Sequence, residues 1–95
     1  MIIYQQVPTK QFRKDLRRLE RSGFQLSKLG MIIDLLVENK PLPQKCLDHE
    51  LRGGMKGIRE CHIAPDWLLT YKKEDDKLVL LLLRTGTHRD VLGIE

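Results

Sequence analysis

Leu78-Val79-Leu80-Leu81-Leu82-Leu83 is apolar at six consecutive positions. Side chains of a strand alternate between the faces of its sheet, so a strand built from this run must be covered on both. It is predicted to be central. Two further strands precede it. The sequence predicts strands over 57–64, 67–74 and 77–84, separated by Pro65-Asp66 and Asp75-Asp76, gaps that suit antiparallel hairpins. A sheet of this kind needs a second layer, and the first half of the chain supplies it.

That half reads as helices. Residues 1–6 form a short candidate strand, after which Thr9 can cap a helix running to about Arg21, with Gly23 as its stop. Phe12, Leu16 and Leu19 recur at i, i+4 and i+7 and make its apolar face. Lys10, Arg13, Lys14, Arg17, Arg18 and Arg21 fill the opposite arc, with Asp15 and Glu20 outside it. Ser27 is the predicted cap of a second helix ending near Asn39, with Leu26 and Met31 placed as a hydrophobic staple. Leu29, Ile32, Ile33 and Leu36 form its buried face, and Pro41-Leu42-Pro43 enforces an extended exit. Residues 49–51 can add a short strand before a turn at Gly53-Gly54. The expected class is α+β, with two N-terminal helices packed on a small antiparallel sheet. The helices cover one face of that sheet, and a protein partner is the natural cover for part of the other.

Ninety-five residues are expected to form one domain, 1–95, since a core of this size does not divide into two stable ones. Seventeen Lys and Arg against thirteen Asp and Glu give a formal charge of +4, which favours a polyanionic partner, with nucleic acid ahead of membrane. No charged leader precedes a long apolar run, and no segment reaches the length of a membrane span, so a cytoplasmic protein is expected. Cys46 and Cys61 are too few for a disulfide framework and are expected to be reduced and structural.

The reactive residues gather at the strand ends. Alternation along 57–64 sends Arg59, Cys61 and Ile63 to one face and Glu60, His62 and Ala64 to the other. Asp66 lies in the following turn, the sole tryptophan, Trp67, opens the next strand, and Arg84 closes its neighbour with His88 four residues on. Cleaving RNA by its own 2′-hydroxyl needs a base, an acid and positive charge on a phosphorane-like transition state. Histidines can exchange the first two roles, Arg84 can grip phosphate oxygens in a fork, and Trp67 can stack on a base. Trp67 as a core aromatic and Asp66 as a plain turn residue are the competing readings. His49 lies outside the three strong strands, so its chemistry alone leaves its role open.

Zinc is the rival, because Cys46 and His49 have a two-residue spacing that Cys61, His62 and His88 can extend. Cys61 and His62, however, point to opposite faces of one strand, so no metal and no cofactor are expected. The segment Arg52-Gly53-Gly54-Met55-Lys56-Gly57 lacks the Walker spacing and reads as a turn, in which Arg52 and Lys56 can contact a backbone phosphate. The nearly single-signed arc of the first helix, including Lys10, Arg13, Lys14 and Arg17, favours RNA or ribosome binding through counterion release.

Asp48-His49-x-Leu51, Lys56-Gly57-x-Arg59, His62-x-x-Pro65-Asp66-Trp67-x-Leu69-x-Tyr71 and Arg84-x-Gly86-x-His88 together resemble the YafQ branch of the RelE-like toxins, over nearly the whole chain. The resemblance implies a RelE-like fold and a metal-independent endoribonuclease that cuts mRNA in the ribosomal A site. It also implies a cognate antitoxin that inhibits the toxin, with operator DNA bound only through the complex of the two. Carried over by motif, His49, His62, Asp66 and His88 resemble the acid–base group, Arg84 the phosphate stabiliser and Trp67 a substrate-positioning aromatic. The family often places an aromatic near the C-terminus where this chain has Leu92, which can press on a base but supplies no π-face. A non-catalytic RNA-binding or repressor module of the same fold, and a zinc-binding structural protein, are the alternatives.

Overall fold

The computed structural model describes residues 2–53 and 57–92. It contains β1 (Gln5–Pro8), α1 (Lys10–Arg21), α2 (Leu26–Val37), a 3-10 turn at Gln44–Cys46, β2 (His49–Glu50), β3 (Arg59–Ala64), β4 (Trp67–Glu74), β5 (Val79–Gly86) and α3 (His88–Leu92). The strands form one five-stranded sheet in the order β1-β5-β4-β3-β2.

The caps explain where the helices begin and end. Thr9 Oγ1 accepts the Phe12 amide at 3.1 Å and opens α1. At the other end the Phe24 amide reaches Leu19 O and the Gly23 amide reaches Glu20 O, a Schellman closure in which Gly23 takes the left-handed conformation at φ 82°. Asn39, at φ 56°, closes α2 the same way through Lys40 to Leu35 and Asn39 to Leu36. The start of α2 departs from expectation. Gln25 rather than Ser27 occupies the cap position, with no side-chain cap bond, and Met31 is exposed, so no staple forms. The cause is Leu26, which packs against the core and so belongs to the first turn rather than preceding it.

Three expectations for the sheet are also corrected. It is mixed, since β1 pairs parallel with β5 from Gln5 opposite Val79 to Pro8 opposite Leu82. The middle strand is β4, and β5 lies between it and β1. The Asp75-Asp76 gap is longer than a two-residue hairpin turn, because Leu78 adopts φ 52°, stands exposed and leaves the strand to begin at Val79. Leu80 and Leu82 are buried in the core, whereas Leu81 and Leu83 are half-buried, so the second face of β5 is only partly covered.

One apolar cluster joins the helices to the sheet: Phe12 and Leu19 of α1, Leu29, Ile33 and Leu36 of α2, and Cys61, Leu69, Tyr71, Leu80 and Leu82 of the strands. The opposite face of β3 and β4 carries Glu60, His62, Leu68 and Thr70 by alternation. Leu68 is nonetheless fully buried, and α3, which contacts β4 and β5, is a third helix beyond the two expected. A reciprocal capping box starts it: the Thr87 amide donates to Asp90 Oδ2 and the Asp90 amide to Thr87 Oγ1. Among the described residues no helix is long and apolar enough to cross a membrane.

Candidate active site

Pairing register brings the chemistry together. His49 lies opposite Glu60, Glu60 opposite Thr70 and Thr70 opposite Arg84, one row across β2, β3, β4 and β5. The next row holds His62 opposite Leu68 and Leu68 opposite Gly86. Two irregularities adjust the ends, one between His62 and Ala64 on β3 and one that leaves Leu83 unpaired between Thr70 and Tyr71 of β4.

His88, the first residue of α3, faces the turn between β3 and β4. Its Nδ1 is 2.7 Å from Asp66 Oδ1, and its amide donates to the same oxygen at 3.2 Å. A carboxylate can only accept, so the ring proton sits on Nδ1 and Nε2 is left for chemistry. These donors, the side chain first and the amide second, hold the Asp66 carboxyl below its ordinary value. The His62 and His88 ring centroids are 5.6 Å apart and tilted by 50°. His62 Nδ1 is buried without a hydrogen-bond partner among the described residues.

His49 is fixed from the other side. Its Nδ1 lies 2.6 Å from Leu47 O, and because a carbonyl only accepts, this nitrogen carries the proton and Nε2 carries the lone pair. Nε2 is 3.7 Å from Glu60 Oε1. Glu60 is 5% exposed and its second carboxylate oxygen is buried without a partner among the described residues. The loop leading to His49 is anchored through Asp48, which accepts Arg59 Nη2 at 3.0 Å and the buried Tyr71 hydroxyl. Burial, then the Asp48 carboxylate, pushes the Tyr71 phenol well above its usual range, so it serves as a donor and not an acid.

Arg84 is held by a residue that periodicity does not single out. Asp15 is fully buried and accepts Arg84 Nε at 2.9 Å, Arg84 Nη2 at 3.3 Å and the Thr85 amide at 3.1 Å. Arg84 Nη2 also donates to Asp90 O at 3.0 Å. Arg18 leaves the expected basic arc: it is half-buried and pairs with Asp15 at 3.2 Å and Asp90 at 3.5 Å. Lys10, Arg13, Lys14 and Arg17 are exposed as expected, on the outer side of a helix that packs on the core face of the sheet. Arg52 is exposed too, while Lys56 and the side chain of Leu92 lie outside the described residues.

Trp67 requires a correction. It is 4% exposed, its ring meets Phe24 edge-on at 5.0 Å, and its indole N–H donates to Thr85 Oγ1 at 2.9 Å. With its ring enclosed it is a core residue that braces the site and offers no face to a base. The cysteines are free and buried, and Cys61 packs in the core, away from His62. Among the described residues no group of three His, Cys, Asp or Glu is arranged to hold a metal ion.

Glu60, Asp48 and Asp15 were not singled out as functional from the sequence. Alternation does put Glu60 beside His62, which was the available signal. Asp48 stands in the quoted motif Asp48-His49-x-Leu51 but without a role of its own, and Asp15 had no signal, since its role rests on a partner 70 residues away.

Over nearly its whole length the chain is similar to proteins of one bacterial toxin family. A family model described as the bacterial toxin of type II toxin–antitoxin systems, YafQ, matches residues 4–93. The mRNA interferase toxin YafQ of Escherichia coli K12 is 39% identical over 84 residues, covering 87% of this chain and 89% of the relative. YafQ in the E. coli DinJ–YafQ toxin–antitoxin complex superposes with a TM-score of 0.88 at 38% identity, over 97% of this chain and all of that one. A metal-bound toxin from Helicobacter pylori gives 0.86 at 38% identity, over 94% and 98% of the two chains.

Proposed function

The chain belongs to the YafQ family of bacterial type II toxin–antitoxin toxins, and we propose that it cuts mRNA in the ribosomal A site by acid–base chemistry that needs no metal. It is an mRNA interferase, an endoribonuclease, with a cognate antitoxin as its partner. What carries the mechanism is the His88–Asp66 pair at 2.7 Å, set 5.6 Å from the His62 ring on the sheet face that also bears His49.

His49 acts as the general base. With Nδ1–H committed to Leu47 O, Nε2 is the atom that takes the 2′-hydroxyl proton, and Glu60 balances the charge that the ring gains. The oxygen so freed attacks the adjacent phosphorus and the bond to the 5′-oxygen breaks. His88, protonated on both nitrogens and ion-paired to Asp66, gives its Nε2 proton to that leaving oxygen. His62, on β3 beside the His88 ring, holds the scissile group. Arg84 donates to the non-bridging oxygens as charge builds on them. The products are a 2′,3′-cyclic phosphate and a 5′-hydroxyl. Lys10, Arg13, Lys14, Arg17 and Arg52 contact RNA backbone, and operator DNA is met only through the antitoxin complex.

Primer extension on an mRNA held in a programmed ribosome tests the proposal, with wild type, with wild type stripped by chelator and desalted before addition, with His88→Ala, and with the same RNA free of ribosomes. Codon-phased cuts by wild type on ribosomes alone, retained by the stripped protein and lost with His88→Ala, are expected. Cutting by His88→Ala at the wild-type rate, loss on stripping that added transition metal restores, or equal cutting of free RNA overturns the mechanism.

A further inference from the structure

We propose that Asp15, on α1, is a positioning residue for the cleavage reaction: it sets the guanidinium of Arg84 and, through it, the helix that carries His88. The inference rests on the role proposed above for those two residues.

A buried carboxylate is costly unless its lone pairs are satisfied. Asp15 is 0% exposed and satisfies them with donors from two elements: Gln11 Nε2 at 3.2 Å from its own helix, and Arg84 Nε, Arg84 Nη2 and the Thr85 amide from β5, with Arg18 Nη1 alongside as an ion pair at 3.2 Å. Desolvation opposes ionisation here and is the largest single influence, but the donors outweigh it and keep the carboxyl below its ordinary value.

Part of this is edge chemistry. Pairing of β1 with β5 stops at Pro8 opposite Leu82, so the Thr85 amide lies on an unpaired edge and needs an acceptor. A neutral side chain would meet that need. The anion does more, because it fixes Arg84 through two charge-assisted bonds. Of the five N–H donors of a guanidinium, Nε and one on Nη2 go to Asp15 and another on Nη2 to Asp90 O, which leaves the Nη1 pair. The residue is about one-third exposed. It is therefore held on its inner side and presents its remaining donors outward, which is preorganisation of the kind that phosphate charge stabilisation requires.

The same cluster grips α3. Arg84 donates to Asp90 O, and Arg18 lies 3.5 Å from Asp90 Oδ2 as an ion pair without a hydrogen bond, so Arg84 is the cation that ties Asp15 to the helix that His88 opens. Gly86 shows how closely the cluster is packed: it sits at φ +151°, and a Cβ there would lie 2.9 Å from Arg18 Nη2 and 3.1 Å from Asp90 Cβ.

The test compares Asp15→Asn, Arg84→Ala and the double variant in single-turnover cleavage on programmed ribosomes, with folding followed by circular dichroism. Asp15→Asn is expected to lower kcat about tenfold or more with KM within about twofold, and to cost nothing further in the Arg84→Ala background. Wild-type kcat in Asp15→Asn, or losses that multiply in the double variant, overturns the proposal. A second measurement needs neither activity nor a variant. The Arg84 Nε–H resonance of the wild-type protein should exchange slowly with solvent, and rapid exchange in the folded protein overturns the proposal even if Asp15→Asn does not fold. Absence of cleavage by wild type would count against the proposed reaction instead, leaving the resonance to decide on Asp15.

Discussion

Asp66 lies on the surface, where its Oδ1 receives both the ring and the amide of His88, so the carboxylate fixes the position of the helix start and the tautomer of its first residue together. Asp66→Asn keeps an acceptor but removes the charge that balances a protonated His88. The expected outcome is a single-turnover rate lower by about 10²-fold, within the range for impaired general-acid catalysis, with an unchanged melting temperature. The pH dependence has a definite sign. Because the folded carboxyl is held below its ordinary value of 3.8, the pair is intact above that value and is lost only as pH falls through the lower, folded one. The Asp66 carboxyl carbon of the wild-type protein should therefore titrate below 3.8 in an NMR pH series, and a midpoint above that value would refute the assignment. Asp66 and His88 were legible in the sequence, because a turn carboxylate and a histidine after a strand end are local signals. Trp67 was ambiguous for a physical reason: an indole has an apolar body and one donor, and only the position of Thr85 Oγ1 decides that the donor is spent inside.

The elements tell a similar story of local legibility and distant ambiguity. The spans of α1 and β4 follow from Thr9, Gly23 and the Pro65-Asp66 turn, whose conformational preferences act within a few residues. The parallel place of β1 does not, since Gln5–Pro8 is short and polar and its pairing is made more than 70 positions downstream. The helix α3 was missed although Thr87-His88-Arg89-Asp90 contains its capping box, because five residues are too few for a periodic signal. Thr9 links the local and the distant. Its hydroxyl oxygen accepts the Phe12 amide, the hydroxyl donates to Leu83 O with 3.0 Å between the oxygens, and its amide donates to Leu82 O at 3.0 Å. One side chain therefore both starts α1 and ties it to the irregular point of β5. Thr9→Ala forfeits the cap and the tie to Leu83 together and should cost about 1–2 kcal/mol, whereas Thr9→Ser, which retains the oxygen, should cost well under half of that. Urea denaturation of the two variants measures the difference. Equal losses would mean that the methyl group, not the hydroxyl, is what matters at this position.

Across the whole molecule the charge is unevenly placed. The net +4 understates the outer face of α1, where Lys10, Arg13, Lys14 and Arg17 are exposed, while the acidic residue of that helix nearest them, Asp15, is buried and committed to Arg84 and Arg18. Burying the anion leaves the outward field positive. His49 and His62 lie on the opposite face of the sheet from the core that α1 packs against, so these cations stand apart from the proposed proton transfers and are free to meet a large polyanion under the proposed function. A ribosome with its mRNA is large enough to meet both surfaces at once, whereas a short free oligonucleotide at the histidine face is not. Each phosphate contact contributes a slope of about 0.7 to 0.9 to the dependence of log affinity on log salt. Lys14→Ala with Arg17→Ala should therefore reduce that slope for ribosome binding by about 1.4 to 1.8, raise KM at physiological salt and leave kcat at saturation unchanged. Both residues are exposed and make no ion pair among the described residues, so stability should hold. A slope equal to that of wild type, measured across a salt titration with ribosomes, would assign the basic face to something other than nucleic acid. Weakened antitoxin binding by the same variant, with cleavage kinetics intact, would identify it as part of the inhibitory interface.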